Sequence, residues 1–251
     1  MGEFARSTVR QAHGPERRRR IVTIDGPVAS GKSTVALEVA RRLRFRYLDT
    51  GAMYRALTLA ARRAGTDLTS ADALIDLLAR TEIHLESAGG SARVFLDGEE
   101  VTEAIRQPDI TRLVHHVADC GALRRHMVER QRRMAGEGRS NRSVGLVAEG
   151  RDMGTVVFPD APVKFYLEAS LEERVRRRAE QLAAAGVRVD RGGLRRDIEA
   201  RDHGDANRPV SPLRVPEGAI VLDSTGLTVE EVVERVLAHC RGRLDEEESR
   251  G

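Results

Sequence analysis

Tryptophan is missing from this 251-residue chain, and its eight other aromatic residues, five Phe and three Tyr, make up only 3% of it. Platforms on which bases stack are therefore scarce, which argues against a binder of single-stranded nucleic acid. Lysine is nearly absent: of 42 basic residues only Lys32 and Lys164 are lysines. Against that arginine background Lys32 stands out. The two cysteines, Cys120 and Cys240, lie in no paired or metal-type spacing, as expected in a reducing compartment, and read as small buried or half-buried residues. No apolar run approaches the ~18–20 residues that span a bilayer. Nor is there a secretory signal, because Ile21-Val22-Thr23-Ile24 runs straight into Asp25. No repeat of about 20–50 residues is visible. With 40% hydrophobic and 32% charged residues, whole-chain disorder, collagen-like repeats and a disulfide-stapled miniprotein are excluded. A soluble, cytoplasmic protein with no membrane partner is expected.

The formal charge of +3 is unevenly placed. Residues 1–20 carry six arginines against two glutamates and show no hydrophobic periodicity, so they read as a disordered basic leader. The remainder holds 36 basic and 37 acidic residues. Residues 244–251 read as a frayed acidic tail. Between these ends, strand-like runs alternate with amphipathic helices. Strands are expected at 21–24, 47–48, 144–148, 163–167 and 220–222. Helices are expected at 32–43, 51–64, 71–80, 109–118, 122–133, 171–185, 191–201 and 229–244. Around Asp97-Gly98 the pattern changes to an antiparallel hairpin. The alternation predicts an α/β fold, a parallel sheet with helices on both faces. The core would comprise 21–80 and 119–243, with a β-rich insert at 81–118.

The strongest signal is Gly26-Pro27-Val28-Ala29-Ser30-Gly31-Lys32-Ser33, a GxxxxGK[ST] pattern placed between a predicted strand and a predicted helix. Glycines let the backbone wrap a polyphosphate, and successive N–H groups with a helix N-terminus supply positive potential. This loop, continued by Thr34, is read as an ATP-binding cradle. Lys32 would neutralise the β- and γ-phosphates, and the Ser33 hydroxyl would serve Mg²⁺. No Asn-Lys-x-Asp motif for reading guanine is present. A small-molecule kinase would need a second, arginine-rich site for an anionic acceptor.

Three further segments meet that need. Leu48-Asp49-Thr50-Gly51-Ala52-Met53-Tyr54-Arg55 runs from a strand end into a helix. Glu149-Gly150-Arg151-Asp152-Met153-Gly154-Thr155 follows another strand, and Arg201-Asp202-His203-Gly204-Asp205-Ala206-Asn207-Arg208 closes the set. Carboxyl ends of parallel strands are where open α/β sheets bind ligands. In order and spacing, with the phosphate loop, these segments make residues 20–243 resemble the bacterial cytidylate (CMP) kinases.

That resemblance implies a P-loop sheet, an inserted monophosphate-binding subdomain with a small antiparallel sheet, and a short helical lid at about 176–205. It implies phosphoryl transfer from MgATP to CMP or dCMP by a monomer. Lys32, Arg151 and Arg201 would be catalytic. Arg55 and Arg151 would hold the CMP phosphate, and Asp49, Thr50 and Tyr54 would line its pocket. Arg124 and Asp152 would read cytosine, Arg201 and Asp205 would contact the sugar, and Arg208 would complete the lid side. Glu149 would reach Mg²⁺ through water, standing where the family usually has aspartate. Two other departures are Val28, at a loop position commonly small, and His115, followed by His116, where a small hydroxyl residue is usual. Arg176-Arg177-Arg178 reads as a solvated helix face and His203 as loop surface. Two rival readings stay open, a P-loop kinase for another acceptor such as UMP and a nucleotide-dependent RNA-binding protein using Arg17–Arg20.

Overall fold

The structure, a computed structural model, describes residues 20–248 apart from 89, 137–144 and 185. The expected leader, all but Arg20, and the side chains of the expected acidic tail lie outside the described residues.

Strand β1 (Ile21–Asp25) is the middle of a five-stranded, wholly parallel sheet. It lies between β6 (Leu146–Gly150) and β7 (Val163–Glu168), with β2 (Arg46–Asp49) beyond β6 and β8 (Ile220–Asp223) beyond β7. Side chains alternate across a strand, and β1 shows what this does. Val22 and Ile24 enter one apolar cluster with Val35, Val39, Phe165 and Val233. These come partly from α1 (Lys32–Leu43) and α8 (Val229–Glu248). Thr23 and Asp25, wholly buried, fall on the opposite face.

That second face is covered by α2 (Thr50–Ala64), α3 (Ala71–Arg80), α4 (Pro108–Asp119) and α5 (Gly121–Gly136). Its cluster includes Leu57, Leu74, Ile110, Leu123 and Met127, all fully buried. The β-rich segment forms an antiparallel sheet of β3 (Ile83–Ala88), β4 (Ser91–Leu96) and β5 (Glu99–Glu100). Ile83, Val94, Leu96 and Val101 join the same cluster as α2 and α3, so this sheet has no separate core.

Two helices complete the fold, α6 (Leu171–Ala184) and α7 (Arg191–Asn207). Helix α7 continues six residues past the expected end at 201, which puts Arg201 and Asp205 one turn apart on one helix. Strand β6 lies two residues later than the expected 144–148. Glu149 and Gly150 are therefore in the sheet, paired with Ile24 and Asp25 of β1.

The Asp97-Gly98 turn joins β4 to β5 with Leu96 opposite Glu99. Both turn residues are left-handed, at φ 50° and 84°, as a two-residue hairpin requires. An added Cβ on Gly98 would meet open space. Gly98→Ala is therefore expected to act through the backbone alone, lowering stability by about 1 kcal/mol. Urea unfolding checks this, and a loss below about 0.3 kcal/mol would contradict it.

Candidate functional site

All five parallel strands point their carboxyl ends to one edge, and the chain leaves that edge through the phosphate loop, Gly26–Gly31. Gly26 has no room for a side chain, because a Cβ there would collide with the Leu167 carbonyl oxygen. Ala29 and Gly31 are left-handed, at φ 59° and 90°, and Gly31 caps α1. The Ser30 hydroxyl is buried without a partner. Lys32, buried at the first turn of α1, donates to the Pro27 carbonyl at 3.3 Å and lies 4.0 Å from a Glu149 carboxylate oxygen. Burial, then the Arg151 charge, pushes its ammonium down to about 8.

Glu149 is the hub of an oxygen-rich pole. Its Oε1 accepts from Ser33 Oγ at 2.7 Å and from the Tyr47 hydroxyl at 3.3 Å, and its carbonyl accepts from Thr50 Oγ1 at 2.7 Å. Asp49 caps α2 by accepting from Ala52 N at 2.8 Å. Burial, then the Glu149 charge, holds the Asp49 carboxyl well above the usual carboxylate range. Among the described residues no group of three or more His, Cys, Asp or Glu side chains is set to hold a metal by itself. Two carboxylates beside a hydroxyl do fit Mg²⁺, which binds through one or two carboxylates, phosphate oxygens and water.

Across the cleft the arginines converge. Arg55 Nη1 donates to Thr111 Oγ1 at 2.8 Å and Arg201 Nη2 to the Thr111 carbonyl at 3.3 Å. Burial, then the Arg201 charge, lowers Arg55 to about 10 and also lowers Arg178. Among the described residues no carboxylate is bonded to Arg55 or Arg201. Arg151 Nε is bonded to Asp205 Oδ2 at 2.7 Å. Burial works against its charge, but Asp205 outweighs that and raises it. Arg208, buried, lies 3.6 Å from both Asp205 and Asp119 and donates to the Ser211 carbonyl.

The floor beneath them is a buried pair. Arg124 Nη2 donates to Asp152 Oδ2 at 2.6 Å and its Nη1 to the Ala118 carbonyl, and its guanidinium lies 5.3 Å from the Tyr54 ring centre. The Tyr54 hydroxyl and Arg124 Nε are buried and unpartnered.

His115 and His116 are exposed, their rings 4.0 Å apart. Thr111, one turn earlier on α4, is the hydroxyl that meets Arg55. In Arg176-Arg177-Arg178, Arg176 pairs with Glu173 and Glu180 and Arg178 donates to Gln181 at the surface, so the solvated-face reading fails at Arg177. Arg177 donates to the Ser30 carbonyl, to Ser224 Oγ and to the Ser224 carbonyl. Arg174, not singled out by the sequence, donates to the Val28 carbonyl at 3.2 Å and pairs with Asp202. His203 is exposed, as expected, but it lies within helix α7 and not in a loop. A cavity of about 470 Å³ opens beside Thr34, lined by Arg177, Arg178, Ser224, Thr228 and Val229.

Removing one member of a buried ion pair strands the other charge, a loss of about 3–5 kcal/mol. Asp152→Ala is expected to fall in that range, and adding Arg124→Met should recover part of it. Additive losses in the double-mutant cycle would contradict a coupled pair.

Residues 22–242 match the family model for cytidylate kinase. The chain is 47% identical over 217 residues to a cytidylate kinase from Desulfitobacterium hafniense (strain Y51), covering 86% of this chain and 90% of that one. It is 48% identical over 226 residues to the one from Symbiobacterium thermophilum, covering 89% and 97%. The one from Pseudomonas aeruginosa UCBPP-PA14 is 46% identical over 222 residues, covering 88% and 94%. With a family match that spans nearly all of the fold and carries the phosphate loop and the arginine cleft with it, this chain belongs to the cytidylate kinase family.

Proposed function

We propose that the chain transfers the terminal phosphoryl group of ATP to CMP or dCMP, yielding ADP and CDP or dCDP. The observation that supports this reading is two groups of cations brought together at one edge of the sheet. The Lys32 loop forms one, and Arg55, Arg151 and Arg201 form the other. In this reading residues 21–80 and 119–243 are the core, 81–118 the acceptor-binding insert, and about 176–205 the lid.

The loop amides and Lys32 hold the donor polyphosphate, and the cavity beside Thr34 takes the rest of the donor. Arg55 and Arg151 hold the acceptor phosphate with its oxygen in line. Asp49, Thr50 and Tyr54 line the pocket, Arg201 and Asp205 reach the sugar, and Arg208 braces Asp205. Mg²⁺, bound at Ser33 and through water at Glu149, would neutralise charge on the β- and γ-phosphates. An acceptor phosphate is already ionised, so no strong general base is needed. Rate comes from positioning and from charge placed where the transition state needs it.

Base choice follows from the Arg124–Asp152 pair. Cytosine offers an N4 amino donor to the carboxylate and O2/N3 acceptors to the guanidinium. Uracil reverses position 4 to an acceptor and N3 to a donor, leaving buried groups unpaired. Polar sites of this kind discriminate by up to about 10⁴.

The two free thiols, one buried with its pKa pushed up to about 12, support a reducing, cytoplasmic setting. Among the described residues no helix is long and apolar enough to cross a membrane.

A coupled assay of ADP release with CMP, dCMP, UMP and AMP is expected to give CMP a kcat/KM at least 10²-fold above UMP. Equal rates with UMP would overturn the assignment, as would RNA binding that depends on residues 1–20 without CMP turnover. Lys32→Met is expected to keep the fold while lowering kcat by about 10²–10³. Near-normal turnover would remove Lys32 from the mechanism.

A further inference from the structure

Asp25 ends the central strand one residue before the phosphate loop, and none of the roles above uses it. It is wholly buried. Its Oδ1 accepts from Met153 N and its Oδ2 from Gly154 N, both at 2.8 Å. Those two N–H groups open a single π-helical turn, Met153–Val157. The turn hangs from the carbonyl of Asp152, which accepts from Val156 N and Val157 N. Asp25 is thus an N-cap supplied from a different strand. It fixes the turn at the residue after the base-contacting Asp152 and two after Arg151. The turn is also pressed against β1, since a Cβ on Gly154 would stand 3.0 Å from Thr23 Oγ1 and 2.8 Å from Pro216 Cγ.

Among the described residues no cation is paired with the Asp25 carboxylate. Burial, only partly offset by the two amide bonds, pushes it up to about 6. A carboxylate offers an acceptor oxygen to each of the two amides, whereas a neutral amide side chain would offer only one.

We infer that Asp25 is a positioning residue for base selection. By capping the turn from the end of the phosphate-loop strand, it sets where Asp152 and Arg151 point, and so ties the acceptor's base and phosphate contacts to the donor loop. This inference rests on the CMP kinase reading.

Asp25→Asn keeps the size but turns one acceptor into an NH₂ facing an N–H. The variant is expected to fold and to keep KM for ATP within about twofold of wild type. Its CMP:UMP ratio of kcat/KM is expected to fall at least tenfold, mainly through a higher KM for CMP. Asp25→Glu, which retains both acceptors on a longer arm, is the second variant should Asn fail to fold. Whichever variant folds must show the lowered ratio. A folded variant with the wild-type ratio overturns the inference, and so does failure of both to fold, because Asp25 would then serve the fold as a whole. Wild-type enzyme without CMP preference is a separate result, which overturns the functional reading and this inference with it.

Discussion

Positive charge crowded at one edge of a parallel sheet is the constraint on which the site depends. Lys32, Arg55, Arg178 and Arg201 share that edge, and among the described residues none of these three arginines is bonded to a carboxylate. Burial and the Arg151 charge hold Lys32 near 8, and burial and the Arg201 charge hold Arg55 near 10, so the protein spends stability to keep these groups dry and close. Glu149 and Asp205 offset only part of this. Anions relieve it, and a bound ligand at about a hundredfold its Kd adds about 2.7 kcal/mol to stability. The two ends of the cleft differ in kind. One is a turn of backbone amides suited to a polyphosphate, and the other is a set of planar guanidinium groups suited to a single phosphate.

Long-range bonds keep the two ends in register. Arg174 and Arg177, on α6, donate to the Val28 and Ser30 carbonyls of the loop. Arg174 also pairs with Asp202 on α7, the helix that carries Arg201 and Asp205. From the other face Asp25 grips the turn that follows Arg151 and Asp152. The phosphate loop is therefore bonded to α6 and through Arg174–Asp202 linked to α7, while the strand that enters the loop is bonded to the turn after Asp152.

Much of this was readable in the chain itself, because the informative residues are neighbours in sequence. The phosphate loop is eight consecutive residues between a β-branched run and an amphipathic helix. Asp97-Gly98 announces its own turn. What escaped is what the fold joins over distance. Asp25 and Met153 are 128 positions apart, and Arg177 and Ser30 are 147 apart. Nothing local marks Arg174 among 40 arginines. Gly204 and its polar neighbours masked the continuation of α7, and Glu149-Gly150 resembled a loop because the partners that bury Glu149 come from β1, β2 and Ser33.

The central claim is that donor and acceptor phosphates lie end to end in one cleft. The most direct measurement is inhibition by adenosine and cytidine joined 5′ to 5′ through five phosphates. A single cleft predicts one molecule bound per chain, competing with both ATP and CMP. Competition with only one substrate, or two molecules bound per chain, would contradict it.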